Sequence, residues 1–326
     1  MDRRTATPTH YGMMRYHLGW ADERLGPIEA PIGKRLRPLI CLLTAQACAG
    51  GDSTATSVER AMPAAVALEL LHNFTLIHDD VEDGDALRHH RPTVWKLWGE
   101  PQAINVGDGM HVLAHLALLE LRERGVPAER VLGLAGRLAE TSLIITEGQH
   151  LDMSFESRSE VTPHEYLDMI GRKSAALLGC AAFIGGAVSG ADAQLLPALE
   201  RFGFELGLGF QIRDDVLGIW GKSEVTGKPA GDLRRRKKTL PSMYALSRCA
   251  PDERAAFTQL FAGPEPDERA VQGALGVLER HGALEHCEAM VARHSESARE
   301  QLGALPESEA RDALDALVAQ LETREF

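Results

Sequence analysis

The chain has 326 residues, 44% hydrophobic and 25% charged, with a formal net charge of −12. That length can bury a substantial core as one large helical domain or two smaller ones. The acidic balance excludes a broad nucleic-acid or anionic-membrane surface, because phosphate-rich partners reward Lys and Arg; any phosphate chemistry must use local basic clusters or metal.

In chain order, the opening "MDRRTATPTHYGMMRYHLGW" has no apolar run, so no secretory signal is expected. Helices are predicted over 9–18 and 36–49, separated by "LGPIEAPIG" and the basic "GKRLRP" (Lys34, Arg35, Arg37). From 57 a long helix runs into an acidic stretch; Val66, Leu70, Phe74 and Ile77 recur at spacings of three and four, which places this helix inside a bundle. Further helices are predicted over 102–124, 128–152, 163–190, 194–220 and 240–246, with several through 252–321, and no repeat or low-complexity linker intervenes. The uncharged stretch 174–191 touches the lower limit of a membrane span, but its Ala and Gly gain little in lipid, so it reads as a buried core helix. The polar segment 221–239 reads as a long functional loop. Five scattered cysteines without a CxxC pair suit reduced thiols in a cytoplasmic chain. A single all-α domain over 1–326 is the economical reading.

Two acidic clusters end apolar helical runs. In "LIHDDVEDGD", Asp79 and Asp83 lie one turn apart on one face, with Asp80 beside them. At a helix C-terminus the macrodipole disfavours each by about 0.3–1 kcal/mol. Hard oxygen ligands without His or Cys favour Mg²⁺, while a solvated acidic helix end is the competing reading. In "FQIRDDVLG", Asp214 and Asp215 follow Gln211 by three and four residues. Two such pairs suit a polyphosphate held through metal. Basic groups accompany them in "LRHHRPT" (Arg88, Arg91), "IGRKS" (Arg172, Lys173) and "TGKPAGDLRRRKKT" (Lys228, Arg234 to Lys238).

Taken in order, "GKRLRP", "HNFTLIHDDVEDGDALRHHRPT", "INVGD", "EGQHLD", "RKSAALL", "FQIRDDVLG" and "VTGKPAGDLRRRKKTLP" resemble the trans-isoprenyl diphosphate synthase (polyprenyl synthetase) family, most of all its short-chain geranylgeranyl diphosphate synthases. The likeness covers nearly the whole chain. It implies an isoprenoid synthase-type helical bundle around a central apolar cavity, Mg²⁺ as cofactor at about three ions per site, and isopentenyl diphosphate and allylic prenyl diphosphates as substrates. It also implies a homodimer, with no nucleic-acid partner and no transmembrane segment. The metal ligands would be Asp79, Asp80 and Asp83 with Asp214 and Asp215, joined in catalysis by Lys173 and Lys228. Isopentenyl diphosphate contacts would be Lys34, Arg37 and His72; allylic diphosphate contacts would be Arg88, Lys173, Gln211, Lys228 and Lys237, with Ser174 and His89 also at the substrate.

The sequence departs from the family pattern twice. Gly218 stands where a full second DDxxD has its last aspartate, and His89 where many members have a second arginine; His is shorter and only partly protonated at neutral pH, a loss that Arg91 or His90 would have to offset. On this resemblance, metal-assisted loss of diphosphate gives an allylic cation in a dry pocket. The double bond of isopentenyl diphosphate attacks it, and proton loss gives a chain five carbons longer. Phe74, about 7.5 Å before Asp79 along the helix, with small Thr75 next, would set product length; an aromatic there implies a C20 product, with C15 or C25 as alternatives. Phe74 as plain core, with the floor on the helix around 106–121, is the other reading.

Three other functions compete. An HD-type phosphohydrolase would read His78-Asp79 as "HD" but needs further histidine ligands. A class I terpene cyclase, or an unusual prenyl coupling on the same fold, would dispense with Lys34, Arg37 and His72. A non-catalytic subunit of a heteromeric synthase would be expected to lose aspartates. His111 and His115 have metal-compatible spacing but lack the Glu of HExxH, so they read as packing or interface groups. "GKRLR" lacks the preceding glycine of a P-loop, which gives no support for nucleotide binding.

Overall fold

The computed structural model describes residues 6–30, 33, 35–49, 54–158, 160–221, 230–262 and 266–323. Among them the regular structure is helical apart from one short hairpin and an isolated bridge between Ala21 and Pro27. The first half runs α1 (Pro8–His17), α2 (Leu36–Ala47), α3 (Thr54–Glu82), β1 (Leu87–Arg88), β2 (Arg91–Pro92), α4 (Val94–Trp98), α5 (Glu100–Leu119), which tightens into a 3₁₀ turn (Glu120–Arg124), and α6 (Ala128–Glu156). Then come α7 (Pro163–Ile170), a π-helical turn (Gly171–Ala175), α8 (Ala176–Val188), α9 (Leu196–Trp220), α10 (Gly231–Arg234), α11 (Leu240–Arg248), α12 (Pro251–Ala262), α13 (Glu268–Arg280), α14 (Ala283–Leu302) and α15 (Glu309–Thr323). By contacts the chain divides into two compact units, Met1–Ala139 with Ile184–Ala191, and Glu140–Phe183 with Asp192–Phe326.

In the first unit α3 packs against α2 and α5. On α5, Ala103, Val106, Met110, Ala114 and Leu118 are buried at helical spacing. The buried stripe of α3 is richer in alanine than its apolar pattern suggests: Ala64, Ala67, Leu68 and Leu71 lie inside with Leu70, Phe74 and Ile77, whereas Val66 is 43% exposed. Alanine carries a weak hydrophobic signal, yet it admits the closest helix approach, and Val66 is left outside with Met62.

In the second unit α9 and α14 pack along one another. Leu199, Phe202, Leu206, Ile212 and Val216 of α9 are buried, as are Cys287, Val291, Ala298 and Leu302 of α14. Truncating a fully buried aromatic such as Phe202 costs about 3–5 kcal/mol. A further core cluster gathers Phe257, Leu260, Val271, Ala274 and Leu278. The helix predicted over 163–190 is broken into three pieces. Thr162 starts it with a capping box closed by Glu165, and the π turn then inserts an extra residue per turn at Arg172-Lys173-Ser174. Among the described residues no helix is long and apolar enough to cross a membrane. All five cysteines are free.

Candidate active site

The first acidic cluster sits where α3 ends. The helix closes at Glu82, and the Asp83 amide still donates to the Asp79 carbonyl (2.8 Å). The three aspartates are treated differently. Asp79 is half-buried and Asp83 exposed, while Asp80 is buried and turned to the hairpin, where Arg88 Nε donates to its Oδ1 (2.7 Å). Burial, partly offset by Arg88, pushes the Asp80 carboxyl up to about 6. Its Oδ2 is buried and meets no donor among the described residues. Glu82 and Asp85 are exposed.

The hairpin that carries Arg88 is strained. Arg88 pairs with Arg91, and the two residues between, His89 and His90, have φ of 50° and 62°. A two-residue turn of this kind is normally built from Asn and Gly, and a non-glycine residue at positive φ costs of order 1–2 kcal/mol. The segment is pinned from outside: Thr93 Oγ1 and Trp95 Nε1 both donate to the Asp85 carbonyl, at 2.9 and 2.8 Å. Arg91 does not stand in for the missing arginine. Its guanidinium donates to the Tyr16 and Ala21 carbonyls (3.0 and 2.7 Å) and lies over the Tyr16 ring.

Around Arg88 the first unit gathers Arg37 and three histidines. Burial and then Arg37 and Arg88 hold His72 well below its ordinary value, and burial and then Arg88 lower His89. His17, not singled out from the sequence, is pushed down to about 3 by burial and by Arg88. A small cleft is lined by His17, Asp80, Arg88, His89 and Arg91. Gly33 lies beside the same group, its Cβ position 3.7 Å from His89 Nε2. Arg37, His72, Arg88 and His89 are thus brought together, and a neighbourhood that suppresses further protonation in this way favours an anion. Lys34 and Lys228 lie outside the described residues.

The second acidic cluster belongs to the other unit. Asp214 is half-buried on α9. Asp215 is buried, with Oδ2 accepting from Tyr166 Oη (2.7 Å) and the Leu240 amide (3.0 Å), and Oδ1 from Gln211 Nε2 (3.2 Å). Burial outweighs these donors and pushes its carboxyl up to about 7. Ser174 Oγ donates to Gln211 Oε1 (3.0 Å), so Ser174, Gln211, Asp215 and Tyr166 form one chain of hydrogen bonds. Lys173, in the π turn, reaches Asp152 Oδ2 (2.6 Å). The turn passes so close to α6 that a Cβ at Gly148 would lie 2.7 Å from the Lys173 Cα, so only glycine fits there. Lys237 is exposed, and Lys238 instead donates to the Phe155 carbonyl in the last turn of α6 and to the Arg158 carbonyl just beyond it.

Gly218, the position that lacks the last aspartate, lies against another carboxylate. A Cβ built there would be 2.5 Å from Asp232 Cγ and closer still to its Oδ2. Asp232, from α10, is buried and paired with Arg235 (2.9 Å).

Phe74 is 7% exposed and packs against the rings of His78 (5.6 Å) and, on α5, His111 (4.7 Å). Thr75 Oγ1 donates back to the His72 carbonyl (2.7 Å). His111 and His115 face each other, Nε2 to Nε2, at 3.4 Å. His78 Nε2 lies 3.1 Å from the Ile104 carbonyl, which gives it a partner within the helix packing.

Residues 21–278 match the polyprenyl synthetase family. The chain belongs to that family. Two curated relatives are from Mycobacterium tuberculosis: a (2E,6E)-farnesyl diphosphate synthase, 44% identical over 237 residues (72% of this chain, 63% of the relative), and a geranylgeranyl diphosphate synthase, 46% identical over 236 residues (72% and 65%). The matched region therefore spans a little under two thirds of these relatives' length. Among solved structures, polyprenyl synthetase from Streptomyces coelicolor A3(2) superposes with a TM-score of 0.88 at 36% identity, covering 98% of this chain and 93% of that one. Geranylgeranyl pyrophosphate synthase from Corynebacterium glutamicum, solved with isoprenyl diphosphate and magnesium, gives 0.82 at 26% identity, covering 99% and 93%. The polyprenyl synthetase fold is thus the all-α isoprenyl synthase fold, and the family is metal-dependent.

Within this family member, three residues in the site neighbourhoods besides His17 were missed in the sequence. Asp152 ends the quoted motif "EGQHLD", a usable signal. Tyr166 and Asp232 carry none, since their contacts with Asp215 and Gly218 span 49 and 14 positions of chain.

Proposed function

We propose that the chain is a Mg²⁺-dependent prenyltransferase that condenses isopentenyl diphosphate with allylic diphosphates into geranylgeranyl diphosphate (C20). One observation carries this: a helix ending in Asp79, Asp80 and Asp83 beside a neighbourhood of Arg37, His72, Arg88 and His89. Carboxylates and cations held this close suit a ligand that is itself anionic and metal-bound.

The residues fit the metal. Asp80 and Asp215 are raised by burial, which is the cost a divalent ion would remove, and Asp80 Oδ2 lacks a donor among the described residues. Asp79, Asp80 and Asp83, with Asp214 and Asp215, would hold about three Mg²⁺, and Asp232 would supply the carboxylate that Gly218 does not. When bound, the ions neutralise charge on the departing diphosphate. Lys173, Lys228, Lys237, Arg88, Ser174 and Gln211 bind and orient the allylic diphosphate; Lys34, Arg37, His72 and His89 hold isopentenyl diphosphate. The apolar flank of α3 excludes water from the allylic cation, and Phe74, with Thr75 beside it, stops the growing tail. Residues 1–326 are read as a single polyprenyl synthetase domain.

The exposed apolar stripe of α5, Ile104, Val112, Leu116 and Leu119, supports a homodimer. Free cysteines suit a cytoplasmic location. A C15 product is the second reading, favoured by near-equal similarity to the mycobacterial farnesyl synthase. The test is to supply purified protein with Mg²⁺, isopentenyl diphosphate and each of the C5, C10 and C15 allylic diphosphates, and to weigh the products by mass spectrometry. C20 diphosphate is expected; hydrocarbons or alcohols with isopentenyl diphosphate unconsumed would overturn the reading. Asp79→Ala or Asp214→Ala should each lower turnover by orders of magnitude with the circular dichroism unchanged.

A further inference from the structure

Away from both aspartate motifs, three metal-ligating side chains of different chemistry converge in the second unit. Cys249 caps the C-terminus of α11, Glu253 lies in the first turn of α12 and His281 caps the C-terminus of α13. One donor atom from each lies within 4.8 Å of the other two. His281 Nε2 and Glu253 Oε2 are 2.9 Å apart, while Arg280 Nε holds the other glutamate oxygen at 3.1 Å. Both caps are fixed by backbone bonds, Cys249 N to the Ala245 carbonyl (3.0 Å) and His281 N to the Val277 carbonyl (3.2 Å).

We propose that Cys249, Glu253 and His281 form a zinc site that ties the ends of α11, α12 and α13 together. The donor set selects the ion: thiolate with imidazole excludes Mg²⁺ and Ca²⁺ and suits Zn²⁺. Zn–S of about 2.3 Å and Zn–N of about 2.0 Å put tetrahedral donors about 3.3–3.8 Å apart, which the cluster reaches by rotamer adjustment. Arg280 on Oε1 leaves Oε2 to bind as a single oxygen. The buried thiol closes the inner side, and the glutamate and histidine, 29% and 20% exposed, leave the fourth position to water.

The environment argues against a nucleophilic thiol. Burial and the Glu253 carboxylate push the Cys249 thiol up, the opposite of an activated cysteine. Of the neighbouring cations, Arg254 is turned to Glu160 (2.7 Å) and Arg280 to Glu253. Zinc reverses the thiol's preference by displacing its proton to solvent, while the imidazole presents Nε2 as a lone pair with its proton on Nδ1. The site clips a region whose packing rests on Phe257, Val271 and Leu278, so its effect is on stability, and it is independent of the proposed transferase chemistry.

The test titrates the full-length chain, stripped with chelator, with Co²⁺ as a spectroscopic probe in excess Mg²⁺, followed by Zn²⁺ competition against a chromophoric chelator. The expected result is a sulfur-to-cobalt charge-transfer band that saturates at one equivalent and is displaced by Zn²⁺. It should persist in Asp79→Asn and Asp214→Asn and vanish in Cys249→Ser. His281→Ala should weaken zinc binding by about 100-fold or more. Glu253→Gln, which keeps both softer ligands, carries the test if Cys249→Ser loses its helical circular dichroism: it should retain the band at reduced affinity. No charge-transfer band in the wild type, a band that survives Cys249→Ser, or one lost with the aspartate variants overturns the site.

Discussion

Installing the aspartate that the second acidic motif lacks should damage this protein, not complete it. At Gly218 a Cβ would sit 2.5 Å from Asp232 Cγ, well inside van der Waals contact, and the obstructing atoms belong to a buried carboxylate braced by Arg235. Two terms compete in Gly218→Ala. Helix propensity favours alanine by about 0.8–1 kcal/mol, overpacking opposes it by about 1–3 kcal/mol, and the overpacking term wins. Gly218→Asp adds a second carboxylate beside the first; at 4 Å and an effective dielectric of 20 that repulsion is about 4 kcal/mol. At about 2–4 °C of melting temperature per kcal/mol, alanine should cost a few degrees and aspartate clearly more. Removing the obstruction should reverse the effect. Asp232→Ala alone forfeits a largely exposed Arg235 pair worth about 1 kcal/mol or less, whereas Gly218→Asp with Asp232→Ala should recover part of the lost stability, a coupling of about 1–3 kcal/mol. Thermal denaturation of the wild type and the four variants, with prenyl transfer measured alongside, decides the matter. Gly218→Asp at wild-type melting temperature and rate, or a double variant no better than the single, would refute the reasoning.

Other substitutions test separate parts. Phe74→Ala should lengthen the prenyl product while costing about 3–5 kcal/mol of stability; a product distribution unchanged by mass spectrometry would move the floor to α5. His17 is held at about 3 against an ordinary 6.5, so the unfolded chain takes up a proton that the folded chain refuses as pH falls through that window. Stability due to His17 is therefore lost on acidification from 6.5 towards 3, and His17→Gln should flatten that part of a urea-midpoint profile. Asp80, raised from 3.8 to about 6, acts with opposite sign, binding its proton first in the folded state and losing stability as pH rises through that narrower range. Leu116→Glu, on the exposed stripe of α5, should shift the protein to monomer by light scattering without altering its circular dichroism.

What the sequence determined by itself is local and periodic. Helices spaced by Gly and Pro, acidic pairs at the ends of apolar runs and the order of the motifs are written in neighbouring residues, because helix faces repeat every three or four positions. The tertiary structure decided how those residues are used. Periodicity put Asp79, Asp80 and Asp83 in one group, but only the return of the hairpin buries Asp80 against Arg88. Arg91 looked like a phosphate contact until Tyr16 and Ala21, about seventy positions away, claimed its guanidinium. The strained His89-His90 turn, the π turn at Lys173 and the Asp232 carboxylate at Gly218 share this origin. Each depends on whether a distant backbone or side chain arrives to bury a charge or take up its hydrogen bonds. That cost or gain belongs to the packed neighbourhood, and no stretch of sequence contains it.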